Sequence, residues 1–444
     1  MMSEINRHHA PATGRLLLAM VCAVVCSLSA QTLLLAQDTQ SKDARHYAQQ
    51  AVKAYKEKDY AGFLENMKVA VSLRPTHQTY IYNLAVAYAL VGNKKEALTW
   101  LARGAAMGLI YAVADDEDFN SVKESAEFKA ILKKIESNRL PITNSSIAFT
   151  VREKGLIPES VAYDPVAKNF YLSSVHKRKI LSIDSKGEVK EFATARDGLW
   201  SVMGMKVDAG RRHLWVCTVA HPQMENYREE DQGKTAIFKY DLRTGRLVKK
   251  YLLSNKPKPH WLGDLVVNSR GDVYATDSVS PAIYTIARRK DELELFMEAD
   301  GFVSPQGLAL AADEKHLFMA DYSKGIFVID LQTKNYLNLP PPRDSTLLGI
   351  DGLYAYKGDL IAVQNGINPH RVIRLSLNRS ASAVERFEVV EANNPLFDEP
   401  TLGVIIKDTF YYVANSQWGA IDNKGQLAPA EKLREPVVLK MKLR

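Results

Sequence analysis

Two acidic side chains and one amide stand at the same step of a short pattern that recurs through the C-terminal part of the chain. The pattern is an apolar run, a tight polar turn and a second apolar run ending in polar residues. Its six copies are "PESVAYDPVAKNFYLSSV" (158–175), "VMGMKVDAGRRHLWVCTV" (202–219), "LGDLVVNSRGDVYATDS" (262–278), "PQGLALAADEKHLFMAD" (305–321), "DGLYAYKGDLIAVQNG" (351–366) and "PTLGVIIKDTFYYVANS" (400–416). Aligned, they place Glu159, Met203, Gly263, Gln306, Asp351 and Thr401 at one step. A carboxylate there is not a folding requirement, since Gly, Met and Thr fill the same step in other copies. If the step faces a common axis, Glu159, Gln306 and Asp351 supply an all-oxygen, hard donor set that suits calcium or magnesium better than a soft metal. Without a cation, two carboxylates sharing a partly desolvated cavity repel, and one is expected to keep its proton.

The elements that must position these groups are strands. Each copy reads as an antiparallel pair, with β-branched and aromatic residues filling a pleated surface and Gly or Asp in the turn. Several copies run on into a third strand, as in "KILSID", "AIFKYDL", "AIYTIA", "GIFVIDL" and "RVIRLSL". Spread over residues 145–444, six copies take on the order of 50 residues each, the span of a four-stranded blade. The expectation is an all-β six-bladed β-propeller over 146–444, with the first strand of each blade lining a central channel. "SIAFTVRE" (146–153) is expected to pair with "PVVLKMKL" (436–443), which closes the ring and removes its exposed edges.

Residues 43–140 change to alanine-rich helical periodicity. Ala51 and Ala85 recur at a spacing of 34, and Met67 and Leu101 share that register. Spacing and residue types resemble tetratricopeptide repeats, with "DDEDFNSVKESAEFKAILKKIE" as a degenerate third unit that caps an α-helical domain. Such a module either packs internally or offers a groove to a protein partner.

At the N-terminus, Arg7 and Arg15 precede the apolar stretch "LLLAMVCAVVCSLSAQTLLLA" (16–36), so residues 1–36 read as a signal peptide, or as a membrane anchor if left uncut. The protein is therefore expected outside the cytoplasm, periplasmic or extracellular, with membrane contact only through an uncleaved segment. Cys22 and Cys26 fall in that stretch, which leaves Cys217 alone and allows no intramolecular disulfide after cleavage. The 444 residues are 46% hydrophobic and 25% charged, with a net charge of +7 from 58 basic and 51 acidic residues. The basic residues are spread along the chain without an aromatic-interleaved cluster, so no nucleic-acid partner is expected.

From roughly residue 148 to 443, "PES", "SPQG" and "IDG" resemble the motifs of the senescence marker protein/gluconolactonase/regucalcin-like six-bladed propellers. The resemblance implies a divalent cation, calcium first with zinc or magnesium as alternatives, held by Glu159, Gln306 and Asp351. Gln306 is one methylene longer than the family's usual asparagine. The family's third-blade "ND" pair is Gly263-Asp264 in this chain, and the resemblance implies Asp264 or Asp351 as the catalytic acid or base. A small-molecule substrate such as a lactone is implied as well. His221 in "VAHPQ" resembles one member of the paraoxonase histidine pair, with Met203 in place of the other. His260, Asn365 and His221 are the candidate substrate-binding residues. "TAIFKYDLRTGRLVKKYLLSNK" is also similar to the yellow/royal-jelly propellers, largely ligand binders without hydrolytic chemistry. Two classes of function follow: an exported metal-dependent hydrolase of lactonase or esterase type, or a non-catalytic ligand- or protein-binding propeller whose helical repeats dock a partner. A quinone-dependent oxidoreductase finds no supporting basic run or cofactor motif.

Overall fold

The computed structural model describes residues 43–443, and the apolar stretch 16–36 lies outside them. Among the described residues no helix is long and apolar enough to cross a membrane. The chain divides between Leu140 and Pro141 into two compact units.

The first unit is helical: α1 (Ala44–Lys56), α2 (Tyr60–Leu73), α3 (Gln78–Leu90), α4 (Lys94–Ala106) and α5 (Ala126–Asn138). Asp43, Asp59, Asn93 and Ser125 cap four of them, each side chain accepting a backbone N–H from the first turn. The 34-residue spacing reappears as geometry, since α1 and α3, and likewise α2 and α4, begin that far apart. Ala51, Met67, Ala85 and Leu101 are all fully buried between the helices. Phe63, bulkier than the register suggests, is accommodated edge-on against Tyr55 at 5.3 Å. The third unit is a short 3-10 turn (Glu117–Phe119) followed by α5. Asp116 accepts the Tyr82 hydroxyl and Asp118 the Tyr55 hydroxyl (2.8 Å), which fastens this unit to α1 and α3.

The second unit is a six-bladed β-propeller, built of six antiparallel four-stranded sheets. Five blades are continuous in sequence. The sixth takes its outermost strand, Ser145–Thr150, from the start of the unit and pairs it with Val437–Lys442, Ser145 opposite Met441 and Thr150 opposite Val437. This is the closure expected from the sequence.

Neighbouring blades touch through their first strands. Met205 N donates to Ser160 Oγ (3.2 Å), Leu308 N to Asp264 Oδ2 (3.2 Å), Gly403 N to Tyr354 Oη (2.5 Å) and Leu402 N to the Glu159 carbonyl (3.0 Å). At the two remaining junctions glycines permit the approach. A Cβ on Gly204 would stand 2.7 Å from the Gly263 carbonyl, and one on Gly307 2.6 Å from Leu353 N. Apolar side chains fill the space between blades, as where Cys217, Val219 and Ile237 of blade two meet Leu265, Ala275 and Tyr284 of blade three. Cys217 is thus an enclosed thiol, pushed up by burial and unsuited to reaction.

In blades two to five the pairing of the first strand skips between Val202 and Met205, Leu262 and Leu265, Pro305 and Leu308, and Ile350 and Gly352. Met203, Gly263, Gln306 and Asp351 lie in those skips. A bulge frees a residue from the ladder and re-aims its side chain. Glu159 and Thr401 lie just ahead of the regular pairing in blades one and six. Ser173 Oγ substitutes for part of the missing ladder, accepting Glu159 N (3.2 Å) and Ser160 N (2.8 Å).

At the other end of the first strands, Asp164 of blade one is fully buried. It is gripped by Arg212 of blade two through both oxygens, Nη2 to Oδ2 at 2.6 Å. Removing the cation strands a buried carboxylate between two blades. Arg212→Ala is expected to cost about 3–5 kcal/mol in urea unfolding. An unchanged unfolding midpoint would show that this pair does not join the blades.

Candidate functional site

Glu159 is buried, with Oε2 accepting the Trp418 indole N–H at 2.9 Å. Burial, with the Asp351 charge second, pushes its carboxyl well above the usual range, against the pull of the indole bond. Asp351 is half-buried, and its Oδ2 accepts Asn365 Nδ2 at 3.0 Å. Asn365 is pinned in turn, donating to the Pro400 carbonyl (3.0 Å) and accepting the Tyr322 hydroxyl (3.1 Å). Burial pushes Asp351 up to about 7, with the Asp264 charge adding to it and the Asn365 bond opposing. A third carboxylate, Glu399, is pushed up to about 7 by burial and then by the charges of Asp351 and Asp398.

Gln306 completes the group. Its Nε2 donates to Ser304 Oγ at 3.2 Å, so Oε1 is the free end of the amide. That oxygen lies 3.7 Å from where a Cβ on Gly263 would stand. The long side chain of one blade therefore faces the missing side chain of the next.

One step deeper, Asp264 is buried with both oxygens engaged, Oδ2 by Leu308 N and Oδ1 by Lys206 Nζ at 3.3 Å. Lys206 Nζ also lies 5.3 Å from the centre of the Tyr354 ring. Lys206 belongs to blade two and Tyr354 to blade five, opposite each other in a ring of six, so this cation crosses the channel beneath the carboxylates. Its attraction goes to Asp264 and a ring face.

The three candidate substrate residues are placed differently. Asn365 is the anchor of Asp351. His221 is buried and stacks on Trp261 at 4.7 Å, with Trp418 at 5.8 Å. Its Nδ1 accepts Gln223 N (3.3 Å), which puts the proton on Nε2, and Nε2 has no partner among the described residues. Burial holds this ring down to about 3, so it is a neutral wall behind the tryptophan that grips Glu159. His260 is buried with Nδ1 2.5 Å from Asp277 Oδ2. Asp277 Oδ1 takes the N–H groups of Trp261 (3.0 Å), Val279 (3.2 Å) and Ser280 (3.0 Å). Asp321 of blade four clamps Val303, Ser304 and Ser323 in the same way, so the aspartate is a repeated loop clamp and His260 is an addition to it.

Sequence reasoning missed Lys206, Glu399 and Trp418. Lys206 had a usable signal, a lone charge in the apolar run "VMGMKV" of a first strand. Glu399, two residues before Thr401, was also within reach. Trp418 had none, because its partner lies 259 residues away.

The donor set fits a hard cation. Glu159 and Asp351 each keep one oxygen without a hydrogen-bond partner among the described residues, and Gln306 offers an amide oxygen. Among the described residues no three His, Cys, Asp or Glu side chains are gathered closely enough to hold a metal by themselves.

No family model matches this chain. No curated protein matches it in sequence either. Solved structures do resemble it. A gluconolactonase from Xanthomonas campestris is 14% identical over 68% of this chain and 94% of its own, with a TM-score of 0.45. The PQQ-bound aldose sugar dehydrogenase from Streptomyces coelicolor is 13% identical over 67% of this chain and 97% of its own, with a TM-score of 0.47. Virginiamycin B lyase from Staphylococcus aureus is 15% identical over 66% and 83%, with a TM-score of 0.45. These likenesses assign no activity to this chain.

The raised Asp351 carboxyl has a stability consequence. Its folded value, about 7, lies above the ordinary 3.8 of an unfolded chain, so the folded state is penalised in full above pH 7 and relieved as the pH falls toward 4. In chelator, Asp351→Asn is expected to raise the melting temperature at pH 8 by about 2–4 °C. The gain should disappear near pH 4.5. A gain that is constant with pH, or a loss at pH 8, would refute an uncompensated charge at this position.

Proposed function

We propose that this end of the channel binds a divalent cation, calcium first with zinc or magnesium as alternatives, and hydrolyses a lactone or related ester. One observation carries the reading. Glu159 and Asp351 are brought into mutual repulsion at a desolvated channel end, each braced by a neutral donor and each keeping one oxygen free. Opposed charges of this kind are costly to a fold that gains nothing from them.

Glu159, Gln306 and Asp351 are the residues to hold the ion. A bound divalent ion supplies a Lewis acid for a carbonyl oxygen. The chain's own residues do the rest. Trp418 and Asn365 fix the carboxylates, so orientation is set before a substrate arrives. Asp264 is fully engaged and holds Lys206, which leaves Asp351 as the better placed group to take up and return a proton. His260, with Nδ1 committed to Asp277, keeps Nε2 as the contact for a substrate. Export through residues 1–36 belongs to the same proposal. If the channel proves inert, the helical unit becomes the seat of function as a docking module for a protein partner.

Elemental analysis of the full chain, with melts before and after chelation, is the first test. Stoichiometric calcium, zinc or magnesium is expected, with a large downward shift on chelation that is absent in Glu159→Ala. Turnover in a lactone panel should vanish in Glu159→Ala and fall about 10–100-fold in Trp418→Phe, which keeps the ring and loses the indole donor. Full turnover in Glu159→Ala, or no metal and no chelator effect, would overturn the reading.

A further inference from the structure

At the opposite end of the ring from the carboxylates, a cavity of about 170 Å³ opens between blades two and three. Arg211, His213, Trp215, Lys239, Arg288 and Asp291 line it. Strand direction sets its place. Met203 lies near the start of its strand, whereas Arg211 belongs to the turn at that strand's far end, His213 opens the next strand there, and Arg288 lies in the last turn of blade three on the same side.

Three features set this cavity apart from an ordinary seam between blades. The first is charge. Arg211, Lys239 and Arg288 line it against the single carboxylate of Asp291. That carboxylate is already bound by Lys249 Nζ at 2.8 Å and the Tyr251 hydroxyl at 2.5 Å, with Lys239 Nζ at 3.9 Å. Arg211 is paired with Asp208 at 3.1 Å, and in the lining itself three cations face one carboxylate. The second is unmet donor capacity. Trp215 is 3% exposed and its indole N–H, a donor only, has no partner among the described residues. His213 Nδ1 is likewise unpartnered among them, and the exposed Arg288 guanidinium has no ion pair there. A buried donor left unpaired costs about 1–3 kcal/mol, so the Trp215 N–H calls for an acceptor. The third is preorganisation. Arg211 is fixed before any ligand arrives, through Asp208 and the Ser269 carbonyl (2.7 Å). It lies flat against Gly271, where a Cβ would come within 2.7 Å of its Nε. Only two of its five N–H donors are used.

We propose that this cavity is a binding site for a small oxyanion, a phosphate or the terminal phosphoryl or carboxylate group of a larger molecule. Arg211 and Arg288 supply the forked donors that suit such oxygens, Lys239 a point charge, and Trp215 a directional N–H. The volume, about that of five or six waters at the liquid's share per molecule, admits the anion itself and leaves anything attached to it outside. The site is separate from the channel and stands or falls without it.

Calorimetric titration of the full chain with inorganic phosphate at low ionic strength tests this, with acetate in a parallel run to tell a phosphoryl from a carboxylate preference. One saturable site is expected, weakening as salt rises. Arg288→Gln and Trp215→Phe should each weaken it about 5-fold or more, while Asp351→Asn leaves it unchanged. Arg288 is exposed, so its variant reports even if Trp215→Phe perturbs the blade interface. No saturable binding of either anion, or binding that both variants leave intact, would overturn the proposal.

Discussion

Every feature of the propeller depends on one pairing, that of Ser145–Thr150 with Val437–Lys442. It joins the first strand of the unit to the last, and so completes the sixth blade and closes the ring. The six channel positions come from six different blades, so none has a meaning until the ring is closed. The carboxylates of blades one and five come within reach of each other's charge only in the closed ring. Leu402 N on the Glu159 carbonyl shows the closure acting directly on a site residue.

The repeat was legible because strand periodicity and turn chemistry are local. Six apolar pairs with polar turns can be counted from residue types alone, and in four of them the step that opens the pair is the step that the structure places in a bulge. The closing strand was legible for the same reason, as apolar runs left over at each end of the unit. In the helical unit, small residues at a fixed spacing marked buried positions, whereas Phe63 at such a position could be explained only by the nearby Tyr55 ring.

What the sequence hid were relations across the ring. Asn365 in "QNG" looks like a turn residue, and only the approach of Tyr322 and Pro400 from neighbouring segments makes it the anchor of Asp351. Lys206 stands out as a lone charge in an apolar run, but that it reaches the Tyr354 ring of the opposite blade is visible only in the structure. His221, read against a catalytic pair, is a neutral ring buried among tryptophans, because burial outweighs any benefit of charging it. Each depends on distances between segments far apart in sequence, which no local pattern encodes.

Gln306 and Gly263 make better sense together than apart. Alone, a long amide carries its oxygen far from its own strand, and a glycine leaves a gap. The structure sets the gap beside the oxygen, at 3.7 Å from the position a Cβ would take. Any side chain longer than alanine at 263 would contend with the amide for that space, and a shorter amide at 306 would leave the space empty. The same residues also meet the backbone demand, since the bulge at 263–264 lets Gly204 of blade two come against the Gly263 carbonyl. The space at 263 and the reach of the amide at 306 are thus matched to each other, while the close approach of the blades is met by Gly204.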